Sequence, residues 1–525
     1  MDPLVSAELA RRSADGVAFR AQAQHTHRTW ARTFSSLPEL YIRPRTLAEV
    51  EKAVDVARAC RRRIATVGCG HSPSSMTCTS SWLVNLDDFD AVHSVDRETG
   101  LAVVDGGIRL YRLCEELDRR GLAMPNLGSI NEQSIAGAIS TGTHGSSLRH
   151  GLMSEDVVAL KVTLASGKTV DCSADRDRDL FRAATLSLGA LGIVTQVTIR
   201  AVPAFSLRWT QTVDSDARLL DSWRRGQLWS RAEFVRVYWY PYTRRAAVWA
   251  ADKADPGEAH VAPAANWFDG ALGYYVYHNL LALAHLVPRI LPWVERLVFG
   301  MQLGFRDGVT TPTAVEPGSR ALLLNCLYSQ FVNEWAIPLE RGPEALARLS
   351  SWLNRLDESD DGYVEHGIPF SAEGLYVHAP VEVRVSDGNR PRADGESPVR
   401  PFLDPTSPDG PTLYLNATLY RPYHLDPPCR ERYYRGFEHL MRDLGGRPHW
   451  AKNFDARRPE IEAMFGQDLD EWRVVRDRAD PDGMFVGPWH RERVMAEGPR
   501  LPLEEVEVRR AKVGDGSFQT VGELP

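Results

Sequence analysis

Cysteine is scarce in this chain, and the usual metal-binding motifs are missing. Seven cysteines are scattered among 525 residues without a CxxC pair. The sequence therefore predicts reduced thiols in a reducing compartment, and it argues against a disulfide framework or a cysteine-rich zinc site. It also lacks an HExxH motif, an EF-hand loop and a Cys/His ladder, so it implies no metal.

Charge of one sign is not in marked excess either. The 62 basic and 69 acidic residues are interleaved along the chain and leave a formal net charge of -7. A nucleic-acid-binding protein would show a basic face or stripe, so we expect no nucleic-acid partner. With 43% hydrophobic and 25% charged residues, the composition is that of a folded globular protein, and at this length two domains are expected.

No uninterrupted hydrophobic run is long enough for a membrane-spanning helix, which needs roughly 18 apolar residues. The most apolar stretch, Ala271–Phe299, is broken by Pro288, Pro292 and several polar side chains. We predict a buried or paired helix there, and the alternative is a helix that lies on a membrane surface. Residues 1–16 lack the apolar core of a signal peptide, so we expect an intracellular protein.

From about Arg43 the sequence alternates between helical and strand patterns. Thr46-Leu-Ala-Glu49 is a capping box that predicts the start of a helix. A hairpin is predicted around Ser166-Gly167. Further strands are predicted at 63–67, 82–86, 101–105, 192–202, 380–386 and 412–422, and helices near 110–117 and from 431.

The composition changes near residue 206, where tryptophan and tyrosine become more frequent and the strands longer. We therefore predict a nucleotide-binding domain at 21–205 and a substrate domain at 206–525. Residues 387–411 are rich in proline and charge and are predicted to form a long surface loop.

Two loops of small residues, 68–73 and 140–146, are candidate ligand sites. The first is not a GxGxxG dinucleotide motif, because its third glycine position is Pro73. Its free backbone N–H groups could still hold an anion such as a pyrophosphate, although an ordinary turn has the same composition. Two such loops on one domain favour a long ligand with a backbone cradle at each part.

Three motifs of the first half resemble the FAD domain of the vanillyl-alcohol-oxidase superfamily. They are Thr66-Val-Gly-Cys-Gly-His-Ser-Pro-Ser-Ser75, Asn126-Leu-Gly-Ser-Ile-Asn-Glu-Gln-Ser-Ile-Ala-Gly137 and Ser140-Thr-Gly-Thr-His-Gly145. Within this superfamily, motifs of the second half are similar to the aldonolactone oxidases, particularly to their fungal D-arabinono-1,4-lactone branch, with L-gulonolactone oxidases as near relatives. These motifs are Val381-Glu-Val-Arg384, Asn416-Ala-Thr-Leu-Tyr-Arg-Pro422 and Gly446-Arg-Pro-His-Trp-Ala-Lys452.

The resemblance implies an α+β fold with an FAD-binding domain and a C-terminal cap domain that closes over the flavin. It implies oxidation of an aldono-1,4-lactone by O2 to an ascorbate-type enediol lactone (D-erythroascorbate from D-arabinono-1,4-lactone) and hydrogen peroxide. The alternatives are an L-gulono- or L-galactono-1,4-lactone oxidase, an alditol or oligosaccharide oxidase of the same fold, and a non-catalytic flavin-binding protein. The fungal members imply association with the mitochondrial outer membrane.

The resemblance also assigns residues to FAD. His71 stands where the family attaches the flavin covalently, and a neutral imidazole is a competent nucleophile near neutral pH. Gly128 stands where dehydrogenase relatives carry an alanine that can block O2. The other expected FAD contacts are Val67, Gly68, Cys69, Gly70, Ser72, Pro73, Ser134, Gly137, Thr141, Thr143, His144, Gly145, Ile193 and Val194.

Strand alternation supports a catalytic pair. In Val381-Glu-Val-Arg-Val385 the valines share one face, so Glu382 and Arg384 share the other, although a solvent-exposed pair gives the same pattern. The resemblance places this face over the flavin, with Arg384 stabilising negative charge and Glu382 positioning Arg384 and the lactone. Lys452 would stabilise the developing alkoxide.

The remaining site predictions concern the substrate pocket. Alternation in 412–422 places Tyr414, Asn416, Thr418 and Tyr420 on one polar face, which could line a sugar pocket or be an ordinary sheet surface. Asn416, Tyr420 and Ser129 are the expected substrate contacts. His449 is interpreted as structural.

Overall fold

A computed structural model describes residues 2–264, 270–324, 326–378, 380–391, 398–499 and 502–503, and the backbone of 519–520. Within these ranges the helices are α1 (Pro3–Arg11), α2 (Leu47–Ala59), α3 (Leu110–Asp118), α4 (Ile135–Ser140), α5 (Arg178–Ala184), α6 (Asp216–Arg224), α7 (Ala271–Leu286), α8 (Leu291–Gln302), α9 (Gly318–Ala321), α10 (Gly342–Asn354), α11 (Arg430–Asp443), α12 (Arg458–Ala479) and α13 (Pro488–Arg493).

The strands of the same ranges alternate with these helices in the first half and dominate the middle of the chain. They are β1 (Ala21–Gln22), β2 (His27–Arg28), β3 (Phe34–Ser36), β4 (Leu40–Ile42), β5 (Ile64–Val67), β6 (Trp82–Asn85), β7 (Val92–Val95), β8 (Leu101–Asp105), β9 (Leu122–Ala123), β10 (Val157–Thr163), β11 (Thr169–Ser173), β12 (Ile193–Arg200), β13 (Val202–Pro203), β14 (Ser206–Ser215), β15 (Phe234–Tyr240), β16 (Arg245–Lys253), β17 (Ala314–Pro317), β18 (Gln330–Pro338), β19 (Val381–Ser386), β20 (Thr412–Tyr420), β21 (Arg447–Pro448) and β22 (Gln519–Thr520).

The first half contains a four-stranded sheet in the order β1-β4-β6-β5 and an antiparallel five-stranded sheet in the order β11-β10-β12-β8-β7. In the first of them β4 and β5 both run parallel to β6. The predicted cap of α2 is confirmed, because the Thr46 hydroxyl accepts a hydrogen bond from the Glu49 N–H at 3.2 Å. The Glu49 carboxylate, however, accepts from the Arg45 N–H rather than from Thr46.

The second half is built on an antiparallel eight-stranded sheet in the order β17-β14-β16-β15-β19-β20-β18-β21. Helix α11 packs on one face of the sheet's central strands β18 and β20, with α10 beside it, and Ser146 and Ser147 of the first half are hydrogen-bonded to β15 and β19. On the helix-covered side, large side chains such as Trp335 and Trp352 are fully buried. The predicted α+β fold with two parts is therefore confirmed.

The apolar stretch forms a pair of helices rather than one. α7 and α8 meet at a 3₁₀ turn that contains Pro288. Tyr277, Leu281 and Val294 form a buried cluster between the two helices and the sheet. The prediction of a paired helix is confirmed, and no helix in the described ranges has the length and apolarity needed to cross a bilayer.

The prediction of a surface loop at 387–411 is wrong for part of that segment. Residues 392–397 lie outside the described ranges, but 401–406 are all buried. The Leu403 carbonyl accepts a hydrogen bond from the Trp450 indole N–H at 2.7 Å, and the Phe402 ring lies 3.8 Å from the Arg182 guanidinium carbon. Apolar side chains within a proline-rich segment therefore pack it against α5 and against the turn that contains Trp450. The seven cysteines are free thiols, as predicted.

Candidate active site

The first glycine-rich loop and the start of α4 line an elongated cavity of about 1060 Å³. Strand β5 ends at Val67 and the chain turns at once into Gly68. A Cβ atom at Gly68 would lie 2.4 Å from the Ser134 Oγ, so only glycine permits this close approach. Ser134 is also the N-cap of α4 and accepts a hydrogen bond from the Gly137 N–H. The start of α4 and the tight loop thus lie side by side in the lining of the cavity, an arrangement that suits a phosphate group.

A second cavity of about 1160 Å³ continues from the first, and both are lined by His71, Ser72 and Gln133. Its other wall is the exposed face of the central strands β15, β19, β20 and β18. Together the two cavities form one long space that runs from the loop region to the eight-stranded sheet.

His71 lies at the junction of the two cavities. Its imidazole stacks on the Trp30 ring with 4.4 Å between the centroids, and Nδ1 is buried without a hydrogen-bond partner among the described residues. Burial, together with the nearby Lys452 and Arg109 charges, lowers the pKa of His71 to about 3. The ring is therefore neutral at physiological pH, with one nitrogen free to react.

The residues that line the two cavities fit FAD. The two joined cavities provide a long space with a backbone cradle in the first and polar side chains in the second. At the junction Gln133 Oε1 is a buried acceptor without a partner, while Gln133 Nε2 donates to the Thr143 hydroxyl at 3.2 Å. A buried polar atom without a partner destabilises a protein, and the N–H groups of a flavin ring are suitable donors for it.

Four polar residues form a row across the central strands of the sheet, and three of them, Tyr238, Glu382 and Asn416, line the second cavity. The register of the sheet places Tyr238 opposite Glu382, Glu382 opposite Asn416, and Asn416 opposite Glu334. Side chains directly opposite each other in neighbouring strands project from the same face about 5 Å apart. Thr418 donates a hydrogen bond to the Asn416 Oδ1 at 2.8 Å and thereby fixes the amide in this row.

Arg384 lies two residues from Glu382 on the same face, as strand alternation predicts. Its guanidinium contacts Glu334 Oε1 at 2.5 Å, Glu382 Oε1 at 3.6 Å and the Ser129 hydroxyl at 3.2 Å. Burial alone would lower the pKa of Arg384, but the Glu334 and Glu382 carboxylates raise it above its usual value. A permanent positive charge therefore faces the cavity.

Glu334 is one of the residues of this site that the sequence did not indicate. Its side chain is fully buried, and its carboxylate contacts Arg384, the Lys452 Nζ at 3.4 Å and the His144 Nε2 at 3.2 Å. Burial raises the pKa of a carboxyl group, but here Arg384 and Lys452 outweigh burial and hold the pKa of Glu334 well below its usual value. One buried anion thus holds two cations that line the cavity.

His144, Glu334 and His449 also form the one group in the described residues with the spacing of a metal site. The charges around the group oppose that function, because Arg384 and Lys452 already neutralise the only carboxylate. A divalent cation would lie within a few ångströms of both and be repelled. Burial lowers the pKa values of both histidines, so the group is better described as neutral imidazoles beside an ion cluster.

Most of the residues that the sequence assigned to the site line the two cavities. Those in the first cavity are Val67, Gly68, Cys69, Gly70, His71, Ser72, Ser134, Gly137, Thr141 and Val194. Those in the second are Pro73, Gly128, Ser129, Thr143, His144, Glu382, Arg384, Asn416, Tyr420 and Lys452.

Two of the expected FAD contacts line neither cavity. Ile193 is fully buried in the core, where it pairs with Thr163. Gly145 packs against the Asn126 side chain, which leaves no room for a Cβ atom. Tyr414 does not face the substrate space either: its ring stacks behind His144 at 3.4 Å between centroids. His449, interpreted from the sequence as structural, does line the second cavity.

Trp30, Gln133 and Tyr238 line the second cavity and, like Glu334, were not indicated by the sequence. For Tyr238 a signal was present, because alternation in β15 places it on the same face as Arg236 and Tyr240. Trp30 belongs to the short β2–β3 hairpin, whose position over His71 depends on contacts with the second half of the chain. The Ala31 carbonyl accepts hydrogen bonds from the Ser329 hydroxyl and from Arg421.

Sequence comparison places these features in a known family. The D-arabinono-1,4-lactone oxidase family matches residues 197–493, and the FAD binding domain family matches residues 38–173. A Neurospora crassa protein that carries the former name as a provisional assignment is 60% identical, over 98% of this chain and 95% of its own length. The D-arabinono-1,4-lactone oxidases of Yarrowia lipolytica and Saccharomyces cerevisiae are 39% and 36% identical, over 89% and 88% of this chain and 96% and 95% of theirs.

Solved structures share the fold at low sequence identity. Cholesterol oxidase from Brevibacterium sterolicum superposes with a TM-score of 0.72 at 16% identity, over 91% of this chain and 98% of that one. A solvent-stable cholesterol oxidase gives 0.71 at 17% identity, over 90% and 98%. At this identity the similarity shows a common fold.

Proposed function

The chain belongs to the D-arabinono-1,4-lactone oxidase family and has its FAD-binding domain, and from this premise we propose that it oxidises D-arabinono-1,4-lactone at C2 with O2. The products are D-erythroascorbate and hydrogen peroxide. The observation that carries the proposal is the row of Tyr238, Glu382, Asn416 and Glu334, with Arg384 and Lys452 beside it, at the sheet end of the two joined cavities.

Six polar residues of the second cavity have parts in this reaction. Asn416, Thr418 and Ser129 offer hydrogen bonds that orient the lactone hydroxyls. Lys452 stabilises the C2 oxygen as its proton leaves, and Arg384 would stabilise negative charge on the reduced flavin. Glu382 Oε1 is buried without a hydrogen-bond partner among the described residues, so it can accept a hydrogen bond or the proton from the C2 hydroxyl. Bound FAD supplies the hydride acceptor and the route for electrons to O2.

The reaction is tested by incubating the purified protein aerobically with D-arabinono-1,4-lactone and measuring O2 uptake and peroxide together. The proposal requires that the amount of peroxide formed equal the amount of O2 consumed. Glu382→Gln is the matched variant, because it keeps the shape of the side chain and removes its charge, and it should lose most of the turnover. Turnover of xylitol without turnover of any aldonolactone would overturn the substrate assignment.

We further propose that FAD is attached covalently to His71. Three features support the attachment: the junction position, the neutral imidazole and the free buried Nδ1. After acid precipitation the yellow colour should stay in the pellet of the wild type and leave that of His71→Ala. His27→Ala is a suitable control, because His27 is buried next to the same loop and lines neither cavity. A colourless wild-type pellet would contradict the attachment.

A peripheral membrane contact is the proposal for α7. Leu272, Tyr275, Leu283 and Leu286 recur at helical spacing and are all exposed, with Leu286 82% accessible. Trp293 extends this apolar face onto α8. Such a face suits the interfacial layer of a membrane, in fungal cells the mitochondrial outer membrane.

Sedimentation with phospholipid vesicles tests the membrane contact. Leu286→Glu should reduce the bound fraction, since a charge on the apolar face opposes insertion. Val474→Glu is the matched control, because Val474 is equally an exposed apolar residue on another helix, α12. Equal binding of both variants, or no binding of the wild type, would contradict the proposal.

We propose that the FAD-binding domain and the substrate domain divide at residue 206, and the topology of the sheets supports this division. The eight-stranded sheet begins with β14 at Ser206. The C-terminal segment returns to the FAD side, where Phe485, Gly487 and His490 line the first cavity. His490 Nε2 lies 2.9 Å from the Leu188 carbonyl and holds the segment there.

A further inference from the structure

Glu334 lies behind the second cavity and is not part of its lining, yet three residues that do line it contact its carboxylate. We propose that Glu334 is a positioning residue that sets how much positive charge this cavity presents to the flavin. The inference deepens the proposed function and rests on it, because it requires FAD in the joined cavities.

The two oxygens of the Glu334 carboxylate contact different partners. Oε1 accepts a hydrogen bond from the Arg384 guanidinium at 2.5 Å and lies 3.2 Å from the His144 imidazole. Oε2 faces the Lys452 ammonium at 3.4 Å and has no other partner among the described residues. Glu334 therefore anchors the two cations of the cavity at a single point.

The charges of the cluster balance only when Glu334 is ionised. Arg384 and Lys452 carry two positive charges, and Glu334 and Glu382 carry two negative ones. Glu382 faces the cavity and is available to the substrate, whereas Glu334 is fully enclosed and contacts only protein. Removal of Glu334 would leave one net positive charge in a site shielded from water, where charge interactions are several times stronger than in solvent.

A residue that only maintained the fold would behave differently. Its loss would lower stability and activity together, without changing the affinity of the flavin for an anion. A residue that offsets the charge of Arg384 and Lys452 must change that affinity even in enzyme that does not turn over. Sulfite is the probe, because it adds to the oxidised flavin as an anion and the adduct is stabilised by neighbouring positive charge.

The test is a sulfite titration of the holoenzyme with Glu334→Gln, which keeps the side-chain shape and removes the charge. We expect sulfite to bind at least about tenfold more tightly than in the wild type, because one more positive charge is left unpaired. Adding Lys452→Met to this variant removes that charge and should return the sulfite affinity to within about threefold of the wild type.

Glu438→Gln is the matched control. Glu438 is a second buried carboxylate of the same domain; it accepts a hydrogen bond from Asn333, the neighbour of Glu334 on β18. Its side chain lies on the helix-covered side of the sheet, away from the cavity. Glu438→Gln should change stability without changing the sulfite affinity.

Unchanged sulfite affinity in Glu334→Gln, or a tighter affinity that Lys452→Met does not reverse, would overturn the inference. If Glu334→Gln does not fold, Glu334→Asp keeps the charge and should bind sulfite as the wild type does, whatever its turnover; a changed affinity there would also overturn it. A wild-type protein that binds no FAD would instead refute the proposed function, so the two failures are distinguishable.

Discussion

Replacing Gly128 by alanine should slow the reaction of the reduced enzyme with O2 and leave its reduction by the lactone nearly unchanged. Gly128 lines the second cavity next to Ser129 and close to Thr143. A methyl group there would occupy space through which a small molecule can reach the flavin.

The structure gives the size of the perturbation. The added Cβ would lie 2.8 Å from the Thr143 Cγ2, 3.6 Å from the His144 carbonyl and 3.7 Å from Gln133 Oε1. Only the first of these contacts is too short, so Thr143 must move, and overpacking of this kind costs about 1–3 kcal/mol of stability. We expect the rate with O2 to fall at least about tenfold, which corresponds to ~1.4 kcal/mol.

Stopped-flow spectroscopy separates the two half-reactions. Reduction is followed anaerobically with lactone, and reoxidation is followed after mixing the reduced enzyme with O2. Gly128→Ala should lower the second rate and change the first by less than about threefold. Thermal unfolding should report the strain as a lower Tm.

The double variant Gly128→Ala with Thr143→Ser distinguishes strain from blockage. Serine removes the crowded Cγ2 and keeps the hydroxyl that accepts from Gln133. It should restore the Tm while the reaction with O2 stays slow. Recovery of the O2 rate in the double variant, or no loss of it in Gly128→Ala, would refute the reasoning.

Three further predictions concern Lys452, Trp30 and Glu295. Lys452→Met should slow flavin reduction by about 10²- to 10⁴-fold at unchanged FAD content, and a smaller effect in stopped-flow would argue against its role at the C2 oxygen. Trp30→Ala should lower the fraction of covalent flavin in acid precipitates and Trp30→Phe should preserve it, because an aromatic ring orients His71 by stacking. Equal fractions of covalent flavin in Trp30→Ala and the wild type would exclude that role. Burial raises the pKa of Glu295 from 4.5 to about 8, so between these pH values the folded state keeps a proton that the unfolded state loses. The resulting contribution to stability is fully present below about pH 4.5 and is lost as the pH rises toward 8. Glu295→Gln keeps the bond from the Thr243 N–H, and its unfolding free energy should rise by about 3.5 kcal/mol relative to that of the wild type between pH 5 and pH 8 in urea titrations. A difference that stays constant over this pH range would contradict the assignment.

The parts of the site that the sequence predicted are those with a local pattern. Alternation in Val381–Ser386 placed Glu382 and Arg384 on one face, and the structure has both at the cavity. The small-residue loops predicted where a long ligand could be held, because close backbone approach requires glycine, as at Gly68. These properties depend on neighbours in sequence.

The parts that the sequence did not predict depend on pairing between distant strands. Glu334 belongs to a largely apolar strand, and its function follows from the register that aligns it with Asn416 and Glu382. Burial of a charged side chain is not readable from composition, because it requires partners from elsewhere, here Arg384 and Lys452. The packed part of the 387–411 segment was missed for the same reason.

The proposed function requires that an aldonolactone reduce the bound flavin. The measurement is anaerobic addition of D-arabinono-1,4-lactone to the purified holoenzyme while the visible absorbance of the flavin is recorded. The flavin should bleach, and its colour should return, with formation of peroxide, when air is admitted. A flavin that keeps its absorbance with this lactone and with other aldonolactones would contradict the proposed function.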